Sequence, residues 1–109
     1  MPTSAFKSDA LEVVQSHIER LRASLSFGDA LALPETSAED IVVAGKEALL
    51  AIHRYSNLPF LKGHVLVVVV VARHVLGGMA SFHIEKGLVC SPNSSPRDAT
   101  DQELQDSGG

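Results

Sequence analysis

An apolar run at residues 65–72 is the feature that most constrains how this chain folds. Its eight residues, VLVVVVVA, include no polar side chain and lie within a longer apolar segment, residues 58–88. A segment that is apolar on every side must be buried on every side, because none of its faces is suited to water. Since the chain has only 109 residues, few other elements are available to cover this run.

Composition indicates one small domain in a reducing compartment. The chain is 45% hydrophobic, which is ordinary for a globular domain of this length. Cys90 is the one cysteine, so the chain cannot form an internal disulfide, and no zinc-type Cys/His spacing is present. The first residues lack the charged start and apolar stretch of a signal peptide. We therefore expect a cytoplasmic protein.

Three segments have features of helices. Residues 9–27 carry an apolar stripe at steps of three and four, typical of an amphipathic helix: Leu11, Val14, Ile18, Leu21 and Leu25. Residues 38–55 follow a hydroxyl cap and acidic residues, which favour a helix start. Residues 59–86 begin at a proline, which the first turn of a helix tolerates well. Gly45 would lie inside the second helix, where it permits close packing of a neighbour.

The third segment has two interpretations. Six valines among residues 65–71 favour a strand, and in a helix they would cost roughly 3 kcal/mol together relative to alanine. A strand needs a partner, however, and the rest of the chain offers only weak candidates at residues 30–33 and 88–90. We therefore predict an all-α fold in which residues 59–86 form the third helix. The alternative is an α+β fold with residues 65–71 as a strand.

The predicted architecture is a small three-helix bundle in a single helical domain, residues 1–90. Gly77 and Gly78 would break the third helix in a four-helix version of the same bundle. Two other helices cannot cover the whole apolar circumference of the third, so we expect a homodimer that buries the rest. The predicted interface follows one helical face: Val65, Val68, Val69, Ala72 and Leu76.

The last residues differ in character from the rest. Residues 91–109 are rich in serine, proline and acidic side chains and contain few apolar groups to offset the ordering entropy. We expect this acidic C-terminal tail to be disordered.

Chemical signatures are weak. Gly45 and Lys46 resemble the end of a phosphate-binding loop, but the earlier glycine and the following hydroxyl are missing. We predict no catalytic residue, metal or cofactor. The formal net charge of −4 argues against nucleic acid, and the apolar run is too short to span a membrane. The remaining candidates for a ligand-binding or pH-sensitive site are Arg73, His74 and His83.

Two classes of function remain. The first is a small helical protein-interaction module, an adaptor, inhibitor or regulator, that self-associates through its valine-rich third helix. It requires no reactive group, and its protein partner is not identifiable from the sequence. The alternative is a small-ligand-binding domain or enzyme with a pocket near Arg73 and His74. The sequence favours the first class.

Overall fold

The structure is a computed structural model that describes residues 2–75 and 80–107. Five strands and three helices follow one another along the chain. They are α1 (Pro2–Ser24), α2 (Phe27–Ala32), β1 (Thr36–Val43), β2 (Lys46–Tyr55), a 3-10 turn (Pro59–Leu61), β3 (Val65–Val75), β4 (Ala80–Ser91), β5 (Ser94–Asp98) and α3 (Asp101–Asp106).

The prediction of an all-helical bundle is wrong. The strands form one antiparallel sheet in the order β1-β2-β3-β4-β5, and α1 is the one long helix among the described residues. The predicted second helix is the hairpin of β1 and β2, and the predicted third helix comprises β3 and β4. The alternative interpretation of residues 65–71 as a strand is therefore the correct one. Leu76, Gly77 and Gly78 lie outside the described residues.

The valine run is the central strand of the sheet. β3 pairs with β2 on one side and with β4 on the other, so its backbone groups are satisfied without a dimer. Its side chains alternate between the two faces, and both faces are covered over residues 65–69, all of which are at most 3% exposed. Branched valine side chains suit such a strand because they pack well on a pleated surface.

A two-residue turn makes β1 and β2 a hairpin. Val43 pairs with Lys46, and the residues between them, Ala44 and Gly45, have φ angles of 51° and 73°. Positive φ at both central positions is the geometry of a type I′ turn, whose twist matches that of the flanking strands. Asn-Gly is the usual signal for this turn. Here the glycine is present, but alanine stands in the position of asparagine. The sequence therefore gave only a weak indication of a turn and favoured a continuous helix.

Replacing Ala44 with asparagine should stabilise the protein. Asparagine tolerates a left-handed backbone better than alanine does, so we expect Ala44→Asn to raise the free energy of unfolding by about 0.5–1 kcal/mol. Gly45→Ala should lower it by about 1 kcal/mol, since it places a Cβ at a positive φ. Urea denaturation followed by circular dichroism measures both changes. A stabilising Gly45→Ala would contradict the turn geometry.

Helix α1 covers the inner face of the sheet, a name we use for the face toward α1. Its buried residues are four apart and pack on β3 and β4: Phe6, Ala10, Val14 and Ile18. The helix ends at Ser24 because Ser26 caps α2, accepting a hydrogen bond from the Asp29 N–H at 3.0 Å. Ala30 of α2 is buried beside Val65 and Val67. The inner face thus forms the main core.

The C-terminal segment predicted to be disordered contains β5 and α3. Thr100 caps α3, accepting from the Glu103 N–H at 3.1 Å, while the Glu103 carboxylate accepts from the Thr100 N–H at 2.8 Å. Leu104 is 8% exposed and packs on the sheet. Leu104 and the half-buried Ala99 anchor a segment whose composition otherwise indicates disorder.

Candidate functional site

The residues predicted as an interface do not share a surface. Val65 and Val69 lie on the inner face and are buried under α2 and α1. Val68 and Ala72 lie on the opposite, outer face, where Val68 is covered by other parts of the chain and Ala72 is half-buried. Leu76 is outside the described residues. In a helix these positions would share one face. In a strand, successive side chains point to opposite faces, so the same positions are divided between the two faces of the sheet.

The proposed ligand site is likewise divided. The guanidinium carbon of Arg73 lies 5.7 Å from the centroid of the Phe6 ring, so this side chain is packed between α1 and the inner face. His83 is exposed and pairs with Ala72, which places it on the outer face. The backbone of His74 pairs with Ser81, and its side chain is outside the described part of the structure. The sheet therefore separates Arg73 from His83.

The outer face is covered at one end only. Leu61 of the 3-10 turn and Leu104 of α3 pack there on Leu66, Val68 and Val89. Gly87 permits this approach, because a Cβ on it would lie 2.9 Å from Leu104 Cδ2. We call this end the covered half of the outer face.

The other end of the outer face is apolar and open. The pairing register places on it Ala51, which is 6% exposed, and five further apolar residues: Ala38, Val42, Leu49, Val70 and Ala72. Val42 is 71% exposed and Leu49 is 37% exposed. We call these five residues the open half-face. A group of exposed apolar side chains that lie side by side on a sheet is typical of a binding surface.

Carboxylates border the open half-face. Glu47 pairs with Val42, Asp40 pairs with Leu49, and Glu85 pairs with Val70, so all three project on the same side as the apolar residues. Asp40, Val42 and Glu47 also line a groove of about 380 Å³ at the edge of the sheet. The surface therefore combines apolar contacts with negative charge.

A polar groove lies near the covered half. It has a volume of about 350 Å³ and is lined by Thr36, His53, Arg54 and Tyr55, among others. His53 Nδ1 and Thr36 Oγ1 are 3.1 Å apart, while Arg54 donates to the Leu33 carbonyl at 2.7 Å and to Ser56 Oγ at 2.8 Å. Arg54 thus holds the linker before β1 in place, and the groove presents several hydrogen-bonding groups.

Three described side chains have a pKa shifted from the ordinary value: Cys90, Arg97 and Glu103. Burial raises the pKa of the Cys90 thiol, which makes it less reactive than a free cysteine. Arg97 donates to both carboxylate oxygens of Glu103, at 2.9 and 2.7 Å. This bidentate pair lowers the pKa of Glu103 to about 2, with help from the Thr100 N–H. Glu103 therefore fastens α3 to β5.

Acid should weaken the attachment of α3. The pKa of Glu103 is about 2 in the folded protein against 4.5 as its ordinary value, so its stabilising contribution is present above about pH 4.5 and is lost as the pH falls toward 2. Urea denaturation of the protein and of Glu103→Gln measures this contribution as the difference in unfolding free energy. We expect that difference to be largest at pH 6 and to shrink below pH 4.5. A difference independent of pH would contradict the ion pair.

Two kinds of feature are absent from the part of the chain that the structure describes. Within residues 2–75 and 80–107, no three His, Cys, Asp or Glu side chains form a group suited to a metal ion. No helix in the same part of the chain combines the length and the apolar character needed to cross a membrane.

Sequence reasoning missed the open half-face. Residues 48–52 belong to the predicted second helix, but in the structure they lie in β2, and strand alternation determines which of their side chains face α1. The usable signal was the two-residue turn at Ala44 and Gly45, from which the register of β1 and β2 follows.

Comparisons with known proteins return no match: no protein-family model, no curated protein and no solved structure is similar to this chain.

Proposed function

We propose that this protein is a small protein-interaction module, an adaptor, inhibitor or regulator, whose open half-face binds an amphipathic, basic helix of a partner. The observation that carries the proposal is the exposure of Val42 and Leu49 beside the carboxylates of Asp40, Glu47 and Glu85. Self-association through a third helix is not proposed, since those residues form β3. We also propose a cytoplasmic location, which suits a buried, unpaired Cys90 thiol.

The sheet itself supports a helix as the occupant. α1 already lies across the inner face and contributes a narrow row of apolar side chains, and layers of helix, sheet and helix are a common stable arrangement. On the outer face, the 3-10 turn and α3 occupy only the covered half. The open half-face therefore leaves room for a further apolar helix face beside them.

The charges support a basic partner. Lysine or arginine side chains flanking an apolar helix face would lie near the three carboxylates, and such complementarity favours encounter and correct orientation. Arg97, a cation at the covered end, is already held by Glu103. An acidic partner would face uncompensated repulsion.

Binding of designed peptides tests this proposal. Three synthetic 18-residue helices share one leucine and alanine stripe and carry lysine, glutamine or glutamate on both flanks. Fluorescence anisotropy should show the tightest binding for the lysine peptide, and Leu49→Gln should weaken it by about tenfold or more, as truncation of an interface anchor does. Asp40→Asn combined with Glu47→Gln should reduce the preference for lysine over glutamine, and adding Glu85→Gln should remove it.

Leu31→Gln is the matched control. Leu31 is 46% exposed on α2, on the inner side of the sheet, so its replacement should leave peptide binding unchanged. The proposal is overturned if none of the peptides binds saturably below millimolar concentration, or if Leu49→Gln and Leu31→Gln bind the lysine peptide equally well.

The alternative, a ligand-binding or catalytic pocket near Arg73 and His74, has less support. Arg73 is occupied by its contact with Phe6, and the grooves described above are lined by other residues.

A further inference from the structure

Strand β1 forms an uninterrupted edge of the sheet. It pairs with β2 over eight residues in a single register without a bulge, and its sequence, TSAEDIVV, contains no proline. Among the described residues, β2 is the one strand beside it. Proteins commonly shorten, bend or interrupt an edge strand, because its free backbone groups can pair with another strand. The one protection of this kind on β1 is the charge of Glu39 and Asp40.

The pairing register shows which backbone groups of β1 are free. Val43 and Lys46 flank the two-residue turn, so they form a hydrogen-bonded pair. Glu35 belongs to the same series, since the Arg54 N–H donates to its carbonyl at 2.9 Å. Hydrogen-bonded pairs alternate with pairs whose N–H and C=O groups point away from the partner strand. The residues of β1 with such free groups are Thr36, Ala38, Asp40 and Val42. In the part of the chain that the structure describes, no other backbone group bonds to them.

Empty space borders this edge on both faces of the sheet. On the inner side, Ser37 and Glu39 line a groove of about 290 Å³. Nearer the turn, a groove of about 450 Å³ lies between Val43 and a flank of α1. On the outer side, Asp40 lines the groove of about 380 Å³ described above. The three grooves leave room for one more strand beside β1.

The charges beside this edge are mainly negative. Carboxylates lie on both faces of β1 and on the flank of α1 that borders it: Glu39, Asp40, Asp9 and Glu12. None of these four forms an ion pair within the described residues. Ser16 lines the same groove, so Arg20, one turn later, belongs to this flank. Together with Lys46 of β2, it offsets only part of the negative charge.

These charges select among the strands that could pair with β1. Side chains directly opposite each other in an antiparallel pair interact, favourably when their charges are opposite and unfavourably when they are alike. Lysine or arginine opposite Glu39 and Asp40 is therefore stabilising. A second copy of β1 would instead bring further carboxylates to the same edge.

We propose that β1 is a second docking surface, which binds an extended, basic segment of a partner protein as a sixth, antiparallel strand. Two successive lysine or arginine residues of the segment lie opposite Asp40 and Glu39, and an apolar residue lies opposite Ile41. In such strand addition, main-chain hydrogen bonds supply affinity and side chains supply specificity. This edge shares Asp40 and Val42 with the open half-face, but strand binding does not depend on the helix-binding function proposed above.

Methylated peptides test the backbone pairing. The synthetic peptide SVTVKKTTS places its two lysines opposite Asp40 and Glu39 when its third residue lies opposite Val42. The N–H groups of its third and fifth residues then point toward β1, and those of its fourth and sixth residues point away. N-methylation of the third and fifth residues should weaken binding by about tenfold or more, because two main-chain hydrogen bonds are lost. N-methylation of the fourth and sixth residues is the matched control and should leave binding nearly unchanged.

Amide hydrogen exchange, measured by nuclear magnetic resonance, locates the bound peptide on the protein. The N–H groups of Ala38, Asp40 and Val42 should gain protection when the peptide binds. Those of Glu39 and Ile41 should change little, since they already donate to β2 in the free protein. Protection that alternates along β1 is specific to strand addition and is not produced by contact with a sheet face.

Charge variants test the chosen partner. Glu39→Gln should weaken binding of the strand peptide severalfold, since one lysine loses its opposite charge. Asp106→Asn is the matched control, because Asp106 is exposed on α3, away from β1. Glu39 projects on the inner side, so Glu39→Gln should leave binding of the helical lysine peptide unchanged. Leu49→Gln should have the converse effect, and failure of the strand site therefore differs from failure of the helix site.

Three results would overturn the strand site. The first is no saturable binding of the peptide below millimolar concentration. The second is equal binding of the two N-methylated peptides, which would place the contact on a face rather than on the edge. The third is equal binding of a peptide with glutamate in place of both lysines, which would contradict a basic partner.

Discussion

Ile18→Ala should lower the free energy of unfolding by about 2–5 kcal/mol, the usual range for truncating a buried aliphatic side chain. Ile18 is 1% exposed and packs with Val14, Val69 and Leu88 where α1 crosses the inner face. The sheet surface beneath it is held in place by hydrogen bonds on both sides, so it has little freedom to move into the space left by the lost methyl groups. Urea denaturation followed by circular dichroism measures the change.

Leu31→Ala provides the comparison for this truncation. It removes a side chain of the same size, but Leu31 is 46% exposed, so we expect a loss within about 0.5 kcal/mol. If the two variants unfolded at the same urea concentration, the packing of α1 on the inner face would be contradicted. If Ile18→Ala left the free energy of unfolding unchanged while Leu31→Ala lowered it, α1 would have to pack on the sheet by a different face.

The sequence predicted that α1 is amphipathic, but it predicted only some of the residues that α1 buries. The sequence indicated a stripe at Leu11, Val14 and Ile18, as in a helix packed against another helix. In the structure the helix lies on a sheet and buries a row of residues four apart that begins at Phe6. Val14 and Ile18 belong to both patterns, whereas Leu11 is left exposed. Which row is buried depends on the surface that receives the helix.

The sheet was missed because the neighbours of β3 have helix-favouring compositions. β2, KEALLAIHRY, is rich in alanine, leucine and charged residues, which favour helices locally. In the structure these residues pair with a valine-rich strand and bury alternate side chains, so tertiary packing outweighs local propensity. Had Gly45 been recognised as part of a hairpin turn, β3 would have had a partner and the strand interpretation would have followed.

The candidate surfaces depend on register and so could not be predicted from helical spacing. A shift of one residue in strand pairing moves every side chain to the other face. Asp40 and Leu49 are neighbours only because Val43 pairs with Lys46, and Glu85 lies beside Val70 only because of the pairing of β4 with β3. The sequence analysis placed an exposed apolar surface on the valine run, but residues 65–69 of that run are buried. The exposed large apolar side chains of the described residues lie on other elements: Leu11, Leu31, Val42, Leu49 and Phe60.

Coverage of the outer face depends on one glycine. A Cβ on Gly87 would lie 2.9 Å from Leu104 Cδ2, 3.2 Å from the Ala99 Cβ and 3.2 Å from the Val67 carbonyl oxygen. The end of the Leu104 side chain is flexible and can move away. The Val67 oxygen cannot move away, because it belongs to the backbone of the central strand. A larger side chain at this position must therefore displace α3 rather than the sheet.

Gly87→Val should lower the free energy of unfolding by about 1–3 kcal/mol, the usual range for overpacking a filled core. Hydrogen exchange should show lost protection in residues 100–106, while the pairing of β2 with β3 remains protected, because Leu104 and Ala99 are displaced from the sheet. Gly28→Val is the control, since a Cβ there meets nothing closer than Ser26 Oγ at 3.9 Å. If Gly87→Val kept the exchange protection of α3, the close approach of Leu104 to the sheet would be contradicted.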